Sequence, residues 1–433
     1  MRSLFVVSCA AYCLLAASLH AADRAPRLPS VLLILADDVG CEPIGCYGGT
    51  SHATPRIDRL AAEGMRFDYA HAMPVCHPTR ICLLTGRYPF RLNHPGWGSF
   101  PKQAESQTIA HVMKQAGYAT AVAGKWQLTM MNRDPHHPQR LGFDESCLFG
   151  WHEGPRYHDP MIYQNGKVRD DTAGRYGPDV YCEFLIDFME RNRERPFFAF
   201  YSMALCHNVT DDLKEPVPFA PSGRYLSYHE MIESMDRQVG VMVDALDRLK
   251  LRDNTLILFT GDNGTSKSTI ATARDGKYIY EKVVSMKGDE AVPGGKGELT
   301  NLGTNVPLIA NWPSTIESGQ VVDDLVDMSD YFATLAELGE GKTPAGVEID
   351  GRSFLPRLHG ASKAAREWAF AEGRGGGHFV RTQDWKLYND GRLIDMQNDP
   401  REKRPLAEGE GGADAAAARK QLQAALDRLA AGG

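Results

Sequence analysis

Ser30-Val31-Leu32-Leu33-Ile34-Leu35-Ala36 is followed at once by Asp37-Asp38. An unbroken apolar run of this length has no polar face, so it predicts a strand covered on both sides, as in parallel sheets flanked by helices. The two aspartates stand where that strand should stop. Adjacent carboxylates repel one another unless a cation lies between them, and hard cations such as calcium take carboxylate oxygens. Asp37 and Asp38 are therefore candidate metal ligands, with a solvated turn as the plain alternative.

The same arrangement returns further along. Apolar runs at 119–124, 197–203 and 255–260 lead to Lys125-Trp126-Gln127, to Cys206-His207-Asn208 and to Gly261-Asp262-Asn263-Gly264. Helical patterns lie between them. Thr54-Pro55 opens one that runs through Ile57, Leu60 and Ala61 to Gly64, and 106–117 carries Ile109, Val112 and Met113 on one face. Further helices are predicted at 179–192 and 228–249, and the regular methionines of the latter read as packing. Strands alternating with helices over the first three hundred residues predict an α/β fold, with a large, mostly parallel central sheet flanked by helices. Ligands of such folds gather beyond the carboxyl ends of the strands. Asp37, Lys125, His207 and Asp262 all fall there.

Cys76-His77-Pro78-Thr79-Arg80 leads into Leu83-Leu84-Thr85-Gly86-Arg87. Residues 80–85 predict the start of a helix whose positive end favours anions and lies against the cysteine. Pro78 restricts the backbone at His77, and Arg80 offers a fixed fork of donors. Later, Gly294-Gly295-Lys296-Gly297 precedes Val306-Pro307-Leu308-Ile309.

Taken together, these segments resemble the type I sulfatase family of the alkaline phosphatase superfamily. In that family the Cys of Cys-x-Pro-x-Arg is oxidised after translation to formylglycine, whose hydrated aldehyde is the nucleophile. The resemblance implies one calcium ion held by Asp37, Asp38, Asp262 and Asn263 with the modified Cys76. It implies that Lys125, His207 and Lys296 bind the sulfate, that Arg80 supports the nucleophile, and that His207 or Lys296 protonates the departing alcohol. The implied reaction is hydrolysis of a sulfate ester of a sulfated carbohydrate. The implied partners are a small-molecule or oligosaccharide sulfate ester and a formylglycine-generating maturation enzyme.

The chain departs from the family pattern in three places. Gln127 stands where a His is common, and it is expected to orient the nucleophile or a sulfate oxygen. Val209 replaces a proline two residues after His207, and Asn301, Leu302, Gly303 and Asn305 replace a Glu-Gly-Gly and Arg after Lys296. These departures motivate a rival reading as a catalytically silent protein that binds sulfated glycans. Another rival is a phosphonate or phosphate ester hydrolase of the same superfamily.

The net charge of −7 argues against nucleic acid as a partner, because such binding rests on Lys and Arg at phosphates. A site for an anionic substrate must then be made positive locally. At the start, Arg2, an apolar run at 4–17 and Ala21-Ala22 read as a secretory signal peptide over 1–22. That run falls short of the roughly 20 apolar residues a membrane span needs, so a periplasmic or secreted protein without a span is expected. Of nine cysteines, Cys9 and Cys13 leave with that leader, and the remaining odd number leaves one thiol without an intramolecular partner. Cys76 is assigned to that place, while the pairing of the others stays open.

A catalytic domain is expected over 23–338 and a C-terminal subdomain over 339–433. In the latter, short strands near 368–371, 378–382, 385–388 and 393–395 predict a small antiparallel sheet, followed by a terminal helix at 415–431. The stretch 130–176 lacks periodicity and is expected to shape the pocket as a long loop. Its His136-His137 and Trp151-His152 are weighed as metal ligands against simple hydrogen-bonded histidines.

Overall fold

Every residue of Ser30–Ala36 is buried, and the strand divides its side chains between two cores. Val31, Leu33 and Leu35 join one, and Leu32, Ile34 and Ala36 the other. Covering a side chain of this kind is worth about 1.5–3 kcal/mol, so an apolar residue at every position is what a strand between two helical layers requires. The computed structural model describes residues 27–151, 153–208, 227–274, 277–362 and 366–431. The predicted leader at 1–22, His152 and Val209 lie outside them.

In chain order the strands are β1 (Ser30–Ala36), β2 (Met65–His71), β3 (Ala119–Lys125), β4 (Glu145–Phe149), β5 (Ile162–Gln164), β6 (Lys167–Val168), β7 (Phe197–Ser202) and β8 (Thr255–Gly261). Two separate hairpins follow, β9 (Ser268–Arg274) with β10 (Lys277–Lys282) and β11 (Val284–Lys287) with β12 (Glu290–Pro293). Then come β13 (Asn305–Asn311) and β14 (Gln320–Asp327). The main sheet has ten strands in the order β14-β2-β13-β8-β1-β7-β3-β4-β5-β6. Its centre, β8-β1-β7-β3-β4, is parallel throughout. β13 runs against both of its neighbours, and β5 turns back along β4 at the edge. The mostly parallel sheet predicted from the sequence is thus present, with one reversed strand inside it.

Helices Pro55–Ala62, Gly177–Arg191 and Tyr228–Arg248 bury their apolar residues on one face of this sheet. Helices Cys76–Thr85, Ile109–Gln115 and Asp330–Leu338 cover the other. The helix expected over 106–117 is confined to Ile109–Gln115, because Thr108 caps it by accepting a hydrogen bond from the His111 N–H. The helix expected to begin at Arg80 begins at Cys76. Pro78 sits in its first turn, where a backbone N–H would have no intrahelical partner, so the proline does not delay the start. The stretch 130–176 is no mere loop, since it contributes β4, β5 and β6 to the sheet edge.

The C-terminal strands β15 (Ala369–Glu372), β16 (His378–Arg381), β17 (Trp385–Tyr388) and β18 (Leu393–Asp395) form an antiparallel four-stranded sheet, with helix Gly412–Ala431 packed against it. Phe370, Phe379 and Leu387 belong to the same apolar cluster as Leu33 and Phe67, so this sheet shares a core with the larger one. Buried Arg366 joins the two by ion pairs to Asp327 and Asp330. The seven cysteines of the described residues are all free thiols. No helix among these residues is long and apolar enough to cross a membrane.

Candidate active site

The site begins with register. Ala36 lies beside Gly261, and Leu35 and Gly124 both lie beside Ser202, so the ends of β1, β8, β7 and β3 are level. The residues that follow these strands therefore leave the sheet at one edge. Asp262 N–H donates to Ala36 O at 2.9 Å, and Asp38 N–H donates to Asp262 Oδ1 at 3.1 Å. Gly124, at φ 100°, makes the approach to Lys125 feasible, because a Cβ there would stand 2.0 Å from the Ser202 carbonyl.

Asp37, Asp262 and the Cys76 thiol bring ligating atoms within 4.8 Å of one another, all buried. Cations surround them. Lys125 Nζ meets Asp37 Oδ2 at 2.6 Å, Lys296 Nζ meets Asp38 Oδ1 at 2.6 Å, and Arg80 donates to Asp262 Oδ2 at 2.9 Å. Asn263 donates its amide to Asp38 Oδ1 at 2.8 Å. Burial alone would raise the Asp37 carboxyl, but Lys125, His207, Arg80 and Lys296 outweigh it and hold the group well below the usual carboxylate range. Burial and the charge of Asp37 push Asp262 up to about 7. Burial works against the charge on Lys296 too, yet Asp38 beside it keeps that ammonium above its ordinary pKa.

Two oxygens in this cluster, Asp37 Oδ1 and Asn263 Oδ1, are buried without a hydrogen-bond partner. A buried acceptor with no donor costs about 1–3 kcal/mol, and the two sit among three carboxylates. Asp37, Asp38, Asp262 and Asn263 offer oxygens alone, and these four side chains fit a hard divalent cation, calcium or magnesium, better than zinc, which favours nitrogen and sulfur.

Cys76 occupies the first turn of helix Cys76–Thr85 at 6% exposure. It opens onto a cleft of about 620 Å³ whose floor also includes Gln127, His207 and Lys296. Gln127 has φ 57° and a buried Oε1 with no partner. His207 Nδ1 lies 2.8 Å from Asn208 O, and Nε2 lies 4.0 Å from Asp38 Oδ2. Burial, then Lys296, lowers this imidazole to about 4. All the residues assigned from the sequence thus come together: Asp37, Asp38, Cys76, Arg80, Lys125, Gln127, His207, Asp262, Asn263 and Lys296.

Several residues of the site were not singled out in the sequence. Ser202, the last residue of β7, accepts a hydrogen bond from Arg80 and donates to Lys125 O at 2.6 Å, tying the two cations together. Its position at a strand end was the available signal. Trp151 takes the Lys125 ammonium 4.8 Å from its ring centre and the Arg156 guanidinium at 4.5 Å. Arg156 is fully buried and lies 3.3 Å from His207 Nδ1. Nothing in the aperiodic stretch around it marks that role. The rim is built by His94 and Trp97 from one loop and by Glu372 and Arg374 from the C-terminal sheet. His137 accepts from the Trp126 indole at 3.0 Å and packs against Phe100, an arrangement of core packing.

The sulfatase family model matches residues 29–341. N-acetylgalactosamine-6-sulfatase of Canis lupus familiaris is 30% identical over 383 residues, covering 81% of this chain and 70% of the relative. Steryl-sulfatase of Mus musculus is 31% identical over 444 residues, covering 82% and 69%. Among solved structures, Ps i-CgsB superposes with a TM-score of 0.74 at 24% identity, covering 93% of each chain. A protein solved in complex with its substrate D-glucosamine-2-N,6-O-disulfate gives 0.71 at 21% identity, covering 93% of this chain and 97% of that one. These two likenesses concern the fold.

Proposed function

The chain belongs to the sulfatase family and is a sulfuric ester hydrolase; from that premise we propose that it hydrolyses the sulfate ester of a saccharide, using Cys76 converted to formylglycine and one calcium ion. The observation that carries this reading is the meeting of Cys76 with buried Asp37 and Asp262, where Cys76 itself opens onto a cleft lined also by Gln127, His207 and Lys296. Saccharide as the substrate class is supported by the names of relatives such as N-acetylgalactosamine-6-sulfatase.

Asp37, Asp38, Asp262 and Asn263 would hold the calcium, with residue 76 beside them. When bound, the ion supplies positive charge to the sulfate oxygens and to the charge that grows on them in the transition state. As formylglycine, residue 76 would supply a hydroxyl nucleophile, splitting the displacement into two easier steps. Lys125 and Lys296 are fixed by carboxylates before substrate arrives, so they stabilise the sulfate without reorganising during reaction. Arg80, pinned by Asp262 and Ser202, offers its remaining donors to residue 76. The partnerless Gln127 Oε1 can accept a hydrogen bond from the nucleophile's hydroxyl, while the Gln127 amide N–H can donate to a sulfate oxygen. His207 or Lys296 would carry a proton to the departing alcohol.

Export through the leader at 1–22, conversion of Cys76 by a maturation enzyme, and the division of the chain into 23–338 and 339–433 belong to the same proposal. Mass spectrometry of the peptide over 73–80 tests it, with formylglycine expected at position 76. Cys76→Ala should lower turnover of a simple aryl sulfate by at least about 10³-fold, as loss of a covalent nucleophile does. Turnover that survives Cys76→Ala would end the reading. A correctly modified, calcium-loaded protein that hydrolyses no sulfate ester, but gains activity on Gln127→His, would instead favour a silent glycan-binding protein.

A further inference from the structure

The far wall of the cleft is Glu372 at the end of β15 and the turn Gly373-Arg374-Gly375-Gly376-Gly377 that leads into β16. Gly375 and Gly376 have φ of 79° and 85°, and the Gly373 N–H donates to Gly377 O at 2.7 Å, closing the turn. Only glycine takes such angles freely, so the backbone here is committed to a tight loop that carries a single side chain, Arg374.

That arginine differs from the others around the site. Arg80 is consumed by Asp262, and Arg366 by Asp327 and Asp330. Lys125 and Lys296 are likewise engaged by Asp37 and Asp38. Arg374 is exposed on the cleft wall, and its guanidinium makes no hydrogen bond, ion pair or ring contact with any described residue. The nearest carboxylate in sequence, Glu372, is turned to other partners: it accepts from the Phe90 N–H at 2.8 Å and stands 3.4 Å from His94 Nδ1. A cleft of about 620 Å³ has the size of a small-molecule site and extends beyond the sulfate-binding floor to this uncommitted cation. A guanidinium is planar and forked, and it matches carboxylate or sulfate oxygens in pairs.

We propose that Arg374 recognises a second anionic group on the leaving saccharide, a carboxylate or a further sulfate, so that the preferred substrates carry at least two anionic groups. This rests on the sulfate-ester reading of the floor and adds a subsite to it. The floor neutralises the ester that is cut, and Arg374 selects the alcohol to which that ester is attached.

The test is calorimetric binding to calcium-loaded full-length protein carrying Cys76→Ala, which cannot turn substrate over. Three probes are used: N-acetylglucosamine 6-sulfate, glucosamine 2-N,6-O-disulfate, and a uronate-containing disaccharide 6-sulfate. At least one doubly charged probe should bind about three- to tenfold more tightly than the monosulfate, as one partly solvated ion pair provides, and added salt should narrow the gap. Which probe gains tells sulfate from carboxylate. Arg374→Ala should bring all three probes to a common affinity, and Arg374→Lys should keep part of the difference. Equal affinities in the parent, uniform weakening of all three by Arg374→Ala, or no saccharide binding at all would overturn the second-anion subsite. Aryl sulfate turnover by the unmutated protein is measured in parallel. Its absence counts against the sulfate-ester reading, whereas its presence without discrimination among the probes counts against the Arg374 subsite alone.

Discussion

The two ends of the cleft are built on opposite principles. Directly beneath the floor, Asp37, Asp38, Lys125, Asp262 and Asn263 are buried at the ends of adjacent strands, and each charge is answered by another within hydrogen-bond reach. At the rim, Trp97 is 43% exposed, His94 is exposed, and Arg374 touches no described partner. The floor is preorganised at the cost of bringing three carboxylates together, and it is complete before substrate arrives. The rim is carried on turns and completes its contacts with whatever enters. On the proposed reading this difference separates chemistry from selection: charges fixed in advance would act on the ester, and loosely held groups would sort the alcohol.

The largest effect that could break this comparison is removal of the cation that the proposal places among Asp37, Asp38, Asp262 and Asn263. A chelator should take turnover to background and lower the melting temperature, and calcium should restore both, because ligand binding to the folded state alone stabilises it. Metal-free protein with full turnover would leave the acidic cluster without its assigned role. Next in size is Lys125→Met, expected to lower kcat by about 10²–10³-fold on aryl and saccharide sulfates alike, the usual loss for one preorganised donor. A loss confined to one leaving group would place Lys125 on the side of selection.

Glu372 gives a smaller effect, read as stability against pH. Burial, opposed by the Phe90 N–H and assisted by Asp350, pushes its carboxyl up to about 7. Below about pH 4.5 the group is protonated in both states. Between there and pH 7 the unfolded chain releases a proton that the folded protein keeps, so stability falls as pH rises through this window. Glu372→Gln should flatten that slope by at most about 3 kcal/mol, measured by urea denaturation at pH 5 and pH 7.5. An unchanged slope would show that the rim carboxylate is better solvated than its burial implies. The smallest effect is that of Trp97→Ala. Trp97 stands edge-on to Trp151 at 5.5 Å, and its loss should raise KM for a saccharide sulfate about threefold, the worth of one exposed aromatic contact. A fall in kcat instead would mean that the rim reaches into the chemistry.

The floor was legible in the sequence because its residues follow strands that the sequence spells without ambiguity. Apolar runs such as 30–36 and 255–260 can be placed, and whatever comes next must lie at the sheet edge. Cys76, Arg80 and Lys296 were found differently, through resemblance to a family motif. The rim was not legible. His94, Trp97, Glu372 and Arg374 come from two segments some 280 positions apart, and neither has a periodicity that says which way its turn faces. Arg156 was missed for a related reason: an arginine in an aperiodic stretch looks solvated, yet here Trp151, Phe149 and His207 enclose it. The early start of helix Cys76–Thr85 shows a local rule yielding to position, since a proline that would break a helix interior is harmless in the first turn.

The bond from Asp38 N–H to Asp262 Oδ1 closes a span of 224 residues. Closing so long a span carries a loop-closure entropy that must be met before the contact can reward it. Until then Asp262 belongs to a distant part of a fluctuating chain and does not meet Asp37 and Asp38. Docking of the β1 and β8 ends is therefore the moment at which these like charges meet, and Lys125, Arg80 and Lys296 answer them there. On the proposed reading, a cation that needs oxygens from both ends is captured only once they are docked, so calcium should bind the folded chain and not the unfolded one.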